Sequence, residues 1–154
     1  MKRIFLLADD DIDDTELFRE ALEDIDRLIV FYCVSDGKQV LAILGKQEFE
    51  KPQIIFLDVN MPGMDGWDCL GELKKNELYK DIPVIMYSTS SHQREANIAI
   101  DLGALCFFTK PSDFVELKGI LKVIVENLDG NLLQAVSHFM AIKFNRTVVP
   151  LDGI

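Results

Sequence analysis

The sequence predicts an α/β protein built on one five-stranded parallel sheet, doubly wound with helices on both faces. Three observations predict it. Short apolar runs alternate with stretches of helical periodicity along most of the chain, an order that requires crossover connections and hence parallel strands. Runs such as Ile4 to Ala8 and Ile54 to Leu57 are apolar without interruption, as in strands covered on both faces. Each run also stops abruptly at polar or charged residues followed by turn formers.

The first strand, Ile4 to Ala8, runs into Asp9, Asp10 and Asp11, and a helical pattern begins near Asp13. There Leu17, Phe18, Ala21, Leu22 and Ile25 recur at steps of three and four, and the acidic start suits the positive end of a helix dipole. Leu28 to Val34 is a second, β-rich run closed by Ser35, Asp36 and Gly37, with a short helix from Lys38 to Gly45 turning Val40, Leu41 and Leu44 inward. The third strand ends in Asp58, and a loop holding Met61, Pro62, Gly63 and Asp65 leads to a helix over residues 66–77 with Trp67, Leu70 and Leu73 as its stripe. Pro83 opens the fourth strand, VIMYS, which Ser88 to Ser91 follow; Ser91 is placed to cap a helix from His92 to Leu102, and Gly103 to stop it. LCFFT forms the fifth strand and ends at Lys110 and Pro111, with Ser112 or Asp113 capping a helix that starts FVELKGILKVIVENL. Five such units match a flavodoxin-like fold with strand order 2-1-3-4-5.

At 154 residues the chain is long enough to bury a core without disulfides or metal staples. Its formal net charge of -10 excludes nucleic acid as a partner, because phosphate contacts need a surplus of Lys and Arg. Cys33, Cys69 and Cys106 lack CxxC spacing and lie in or beside apolar runs, as buried thiols in a reducing compartment do. The apolar run in MKRIFLLADD is too short for a signal segment or a membrane span, so the protein is expected in the cytoplasm. No GxGxxG or Walker loop follows a strand, which weakens nucleotide binding.

Parallel strands put all their carboxyl ends on one edge, where open α/β sheets bind ligands. Asp58 alone is as readily a turn cap as a functional carboxylate. The other strand ends decide the matter, since the first brings Asp9 and Asp10, the fourth Ser88 and Thr89, and the fifth Lys110. Three carboxylates this close repel, and a hard divalent cation such as Mg²⁺ relieves that. Carboxylate nucleophile, metal, lysine and hydroxyl are together the parts that phosphoryl transfer uses.

DDD after the first strand, LDVNMPGMDG after the third, STS after the fourth and TKP after the fifth resemble the receiver domain of two-component response regulators. The likeness covers about residues 2–128. It implies that Asp58 is the phosphoacceptor, with Asp9, Asp10, Asp58 and the main-chain carbonyl of Asn60 holding Mg²⁺. It also implies a switch of Ser88, Thr89 and the aromatic position, which is Phe107 rather than the frequent Tyr, and a phosphoryl contact from Lys110 with a cis peptide before Pro111. The implied function is that of a single-domain response regulator: a phosphoacceptor switch, not an enzyme, that takes a phosphoryl group from a sensor histidine kinase or phosphotransfer protein, assists its own phosphorylation and dephosphorylation, and remakes a protein-binding face. The competing reading is a Mg²⁺-dependent phosphatase of the haloacid dehalogenase type, drawn from DxDxT at Asp11, Asp13 and Thr15, although these start beyond the strand end.

Residues 1–128 are thus expected to form the receiver unit, and 129–154 a helical extension and tail without a separate output domain. In NLLQAVSHFMAIKFN, Leu132, Leu133, Val136, Phe139, Met140 and Phe144 make an amphipathic helix too small to fold alone. It either packs back on the receiver or forms a dimer or partner surface. Similarity to small regulators paired with bacteriophytochromes implies a homodimer through the last strand and helix.

Overall fold

Continuous β-branched and aromatic runs bounded by turn chemistry form five strands, and the segments with three- and four-residue apolar spacing form the helices between them. The computed structural model describes residues 2–89, 93–111 and 113–143. The elements run β1 (Ile4–Ala8), α1 (Ile12–Ile25), β2 (Val30–Val34), α2 (Gly37–Leu44), β3 (Ile54–Asp58), α3 (Gly66–Lys75), β4 (Val84–Ser88), α4 (Gln93–Leu102), β5 (Cys106–Thr109), α5 (Phe114–Glu126) and α6 (Leu132–Lys143). All strand pairs are parallel, in the order β2-β1-β3-β4-β5.

The uninterrupted apolar strands are the central ones: every residue of β1, β3 and β4 is buried, whereas β2 at one edge is partly exposed along its length. Alternate side chains feed two cores. One joins Phe5, Leu7, Phe56, Ile85 and Phe108 of the sheet to Phe18 of α1 and to Leu117, Ile120, Leu121 and Ile124 of α5. Phe18 lies at its centre, edge-on to Phe56 at 4.9 Å and stacked on Phe31 at 5.4 Å. The opposite core joins Leu6, Ile55, Leu57, Met86 and Phe107 to Val40 of α2, to Leu70 and Leu73 of α3 and to Ala96 and Ala99 of α4.

Local chemistry fixes the helix ends. Asp11, Asp36, Asp65 and Asp113 are N-caps, each side chain accepting a hydrogen bond from the N–H three residues on. The cap at Asp11 starts α1 at Ile12, slightly earlier than the acidic run suggests. For α5 the structure assigns the cap to Asp113; Ser112, Ser91 and His92 lie outside the described residues, as do Phe144 and the tail. The second strand begins at Val30 and not at Leu28, because the Leu28 N–H donates to Asp26 Oδ1 at 2.9 Å in a turn that leaves Leu28 85% exposed. Likewise α3 stops at Lys75, where Asn76 accepts from the Leu78 N–H at 2.8 Å and turns the chain.

The final described helix packs back on α5. Leu132 and Val136 of α6 are buried in the α1–α5 core, and Phe139 rests so closely on Gly119 of α5 that a Cβ there would stand 3.0 Å from its ring. Cys69 and Cys106 are buried, and burial pushes both thiols up to about 12, with the charges of Asp36 and Asp65 adding to the effect at Cys69. Cys33, on the edge strand, is half-buried and raised less far, again mainly by burial.

Candidate functional site

In-register pairing brings the strand ends to one rim: Ala8 lies opposite Leu57, Asp58 opposite Tyr87 and Ser88 opposite Thr109. Asp9, one residue past β1, is 2% exposed; its N–H donates to the Val34 carbonyl and its Oδ1 accepts from the Asp11 N–H, both at 3.0 Å. Asp58 is 6% exposed and accepts a long hydrogen bond from the Asn60 N–H at 3.4 Å. Asp10 is exposed. One carboxylate oxygen from each of Asp9, Asp10 and Asp58 can lie within 4.8 Å of the others. A set of hard oxygen donors at this spacing suits Mg²⁺, which takes carboxylates and waters and tolerates no soft ligand well.

The loop after β3 is held in place by backbone contacts. The Gly66 N–H donates to the Val59 carbonyl at 3.1 Å, folding the start of α3 directly against the acceptor strand. Gly63 has φ +68°, the left-handed region that a residue without Cβ enters cheaply.

Lys110 is the internal cation of this rim. Its Nζ donates to Asp9 Oδ2 and Asp14 Oδ2 at 2.8 Å each and to Asp58 Oδ2 at 3.4 Å, and stands 5.4 Å from the centre of the Tyr87 ring. Burial works to lower the lysine pKa, but the hydrogen bonds it donates to Asp14 and Asp9 and the charges of Asp9 and Asp58 outweigh it and hold the ammonium above its ordinary range. Asp58 responds the other way. Burial, reinforced by Asp9, pushes its carboxyl up from 3.8 to about 6 against the opposing pull of Lys110.

Ser88 is wholly buried, and its carbonyl accepts from the Lys110 N–H at 2.6 Å, while Thr89 is exposed. Phe107 is 5% exposed and faces the second core, where it stacks on Trp67 with ring centres 6.4 Å apart and planes 7° from parallel. Two expectations are corrected here. No peptide bond among the described residues is cis, so the Lys110–Pro111 bond is trans, the form an X-Pro bond favours by about 0.5–1 kcal/mol; the lysine reaches the rim regardless. The DxDxT reading also fails, because Asp11 caps α1 by accepting from the Asp14 N–H at 3.1 Å, Asp13 is exposed, and Thr15 Oγ1 donates to the Ile12 carbonyl at 2.8 Å. These residues start the helix and do not ring a nucleophile.

Sequence reading missed Asp14 and Tyr87. Tyr87 is hidden within an apolar run. Asp14 lies in an acidic stretch, and the only signal that separates it is helical phase: with the cap at Asp11, Asp14 and Phe18 fall four residues apart on the inner side, and Phe18 is fully buried.

A five-stranded parallel sheet in this order, gathering acidic residues, a buried serine and a lysine at its carboxyl edge, defines the class of phosphoacceptor signalling switches. The chain belongs to the response regulator receiver family, whose domain matches residues 5–122. Response regulator Rcp1 of Synechocystis sp. is 31% identical over 141 residues, covering 88% of this chain and 92% of Rcp1. The crystal structure of the phosphorylated cyanobacterial phytochrome response regulator RcpA superposes with a TM-score of 0.75 at 31% identity, covering 82% of this chain and 93% of RcpA. That of the Mn²⁺-bound form of Rcp1 gives 0.69 at 30% identity, covering 79% and 91%. Membership makes the chain a phosphoacceptor in two-component signal transduction, in a family whose domains interact with histidine kinases or phosphotransfer proteins.

The raised Asp58 carboxyl has a measurable cost. A carboxylate whose folded pKa lies above its unfolded value destabilises the fold at pH above about 6, and the penalty fades as pH falls through 6 toward 4. In chelator at pH 7.5, Asp58→Asn is therefore expected to be more stable than the parent by about 1–2 kcal/mol, with solvent screening at the rim allowed for. Urea melts should show the gap closing by pH 4.5; a constant gap would mean that the charge is not its source.

Proposed function

We propose that Asp58 is the phosphoacceptor and that Mg²⁺ is held by Asp9, Asp10 and Asp58 with the Asn60 carbonyl. The carrying observation is the convergence of the three carboxylates with Lys110 on one rim. An Asp58 oxygen attacks the phosphorus of a phosphohistidine, the P–N bond breaks, and the histidine nitrogen takes a proton as it leaves, so the product is a mixed anhydride on Asp58. Bound there, the divalent ion would neutralise developing charge on the transferred group. Lys110 contributes a positive charge beside Asp58 that favours transfer to it, and the rim as a whole assists the chain's own phosphorylation and dephosphorylation.

Ser88, Thr89 and Phe107 form the switch: the phosphoryl group draws the Ser88–Thr89 loop inward, and the packing of Phe107 on Trp67 ties that movement to the α3–α4 face. Phe107 has no hydroxyl, so any rearrangement is one of packing. We read residues 1–128 as the receiver unit and 129–154 as its extension, acting in the cytoplasm on a downstream protein. The packing of α6 on α5 supports a share in the receiver's own fold, and among the described residues no helix is long and apolar enough to cross a membrane.

Mass spectrometry after incubation with Mg²⁺ and acetyl phosphate tests the assignment. One phosphoryl group should appear on the parent and none on Asp58→Asn. Labelling that persists in the variant would remove Asp58 from the role.

A further inference from the structure

The lysine has three N–H donors and spends two of them, at 2.8 Å, on Asp9 and Asp14, leaving its longest contact, 3.4 Å, for Asp58. Asp9 and Asp58 belong to the set of carboxylates that can share a cation, whereas Asp14 does not. Once Asp9 is engaged by a divalent ion, Asp14 is the carboxylate still committed to the ammonium. It is rooted in the first turn of α1, where its N–H donates to the Asp11 cap, so its main chain is held at the helix start while the lysine shifts toward Asp58. Its side chain is about one-third exposed, which screens the pair and keeps the attraction modest.

We infer that Asp14 is a positioning residue that competes with the Asp58 phosphoryl group for Lys110, holding the ammonium back and thereby limiting both the rate of phosphorylation and the lifetime of the acyl phosphate. The inference rests on Asp58 being the acceptor. A phosphoryl group on Asp58 must recruit a donor from Lys110, and the donor most easily released is one whose carboxylate has been neutralised by the metal. Asp14 opposes the rest of that shift. Removing its charge frees the ammonium for the phosphoryl oxygens in both the transition state and the product.

The test uses the full chain at saturating Mg²⁺, with acetyl phosphate as donor and the decay of phospho-protein followed after donor removal. Asp14→Asn keeps an acceptor oxygen but no charge, and should phosphorylate about two- to fivefold faster and lose its phosphoryl group more slowly by a similar factor. Asp14→Glu, which restores the charge, should return both toward the parent. Asp13→Asn removes the same charge from an exposed position on the same turn and should change neither. Slower phosphorylation or a shorter lifetime in Asp14→Asn would overturn the competition and make Asp14 a support for the lysine. Unchanged rates, or equal effects from Asp13→Asn, would overturn any specific role. Labelling that survives Asp58→Asn would instead defeat the acceptor assignment on which this inference stands, so the two failures are separate results.

Discussion

Lys110→Ala is expected to destabilise the protein in chelator by about 3–5 kcal/mol, the usual consequence of removing one partner from a buried ionic cluster. The side chains of Lys110, Asp9 and Asp58 are exposed by 9%, 0% and 8%, so water cannot take over the solvation of the carboxylates left behind. Lys118→Ala makes the useful contrast. Its pair with Asp24 spans 3.6 Å with both side chains more than 40% exposed, and its loss should cost about 0.5 kcal/mol or less. The deficit in Lys110→Ala should also depend on pH and on metal. With the ammonium gone, nothing comparable opposes the burial that already lifts Asp58, so the variant should regain stability as pH is lowered from 7 toward 5. Addition of Mg²⁺ should stabilise the variant more than the parent. Equilibrium urea unfolding at several pH values, with and without Mg²⁺, measures all three effects; a loss below about 1 kcal/mol in chelator would show that the carboxylates do not depend on this lysine.

The second large effect is expected at Gly66. A Cβ there would overlap the Asp58 carbonyl oxygen and stand 3.0 Å from both the Asp58 carbonyl carbon and Val59 Cα. The obstacle is backbone, and it is the backbone of the acceptor strand. Gly66→Ala must therefore move either α3 or Asp58, and should cost at least about 3 kcal/mol together with most Mg²⁺-dependent labelling. Gly71, five residues along α3, has nothing within 4 Å of its Cβ position. There the same replacement should be neutral or stabilise by up to about 1 kcal/mol, since alanine is the better helix former. Opposite signs from one substitution on one helix would locate the constraint in the approach to Asp58; similar costs at both positions would place it in the helix itself.

The legible parts of this molecule were those in which one residue carries its own explanation. Asp9, Asp58, Ser88 and Lys110 each end an apolar run, so their shared rim follows once the strands are parallel. Asp11 was the ambiguous member of its run, and the geometry shows why: its carboxylate is occupied by a backbone N–H at the start of α1. Asp14 could not be separated from its acidic neighbours, because its orientation depends on where the helix begins, and that depends on which aspartate caps it. The exposed Leu28 misled for a similar reason, since a hydrogen bond from its own N–H to Asp26 takes it out of the strand. The packing of α6 was open between two surfaces. Leu132 and Val136 suit either, and what decides is the space at Gly119, a tertiary feature that letter spacing does not encode.

The graded shielding of the three thiols makes the sheet a gauge of its own opening. Cys106 lies on β5 at one margin and Cys33 on β2 at the other, with Cys69 on the buried face of α3, so an alkylating reagent samples three separate places in one chain. A thiol held near 12 by burial is almost entirely protonated at neutral pH, and only its transient exposure produces the reactive thiolate. The pace at which Cys106 and Cys69 are consumed therefore counts excursions from the closed state, the β5 margin and the α3 face each keeping its own tally.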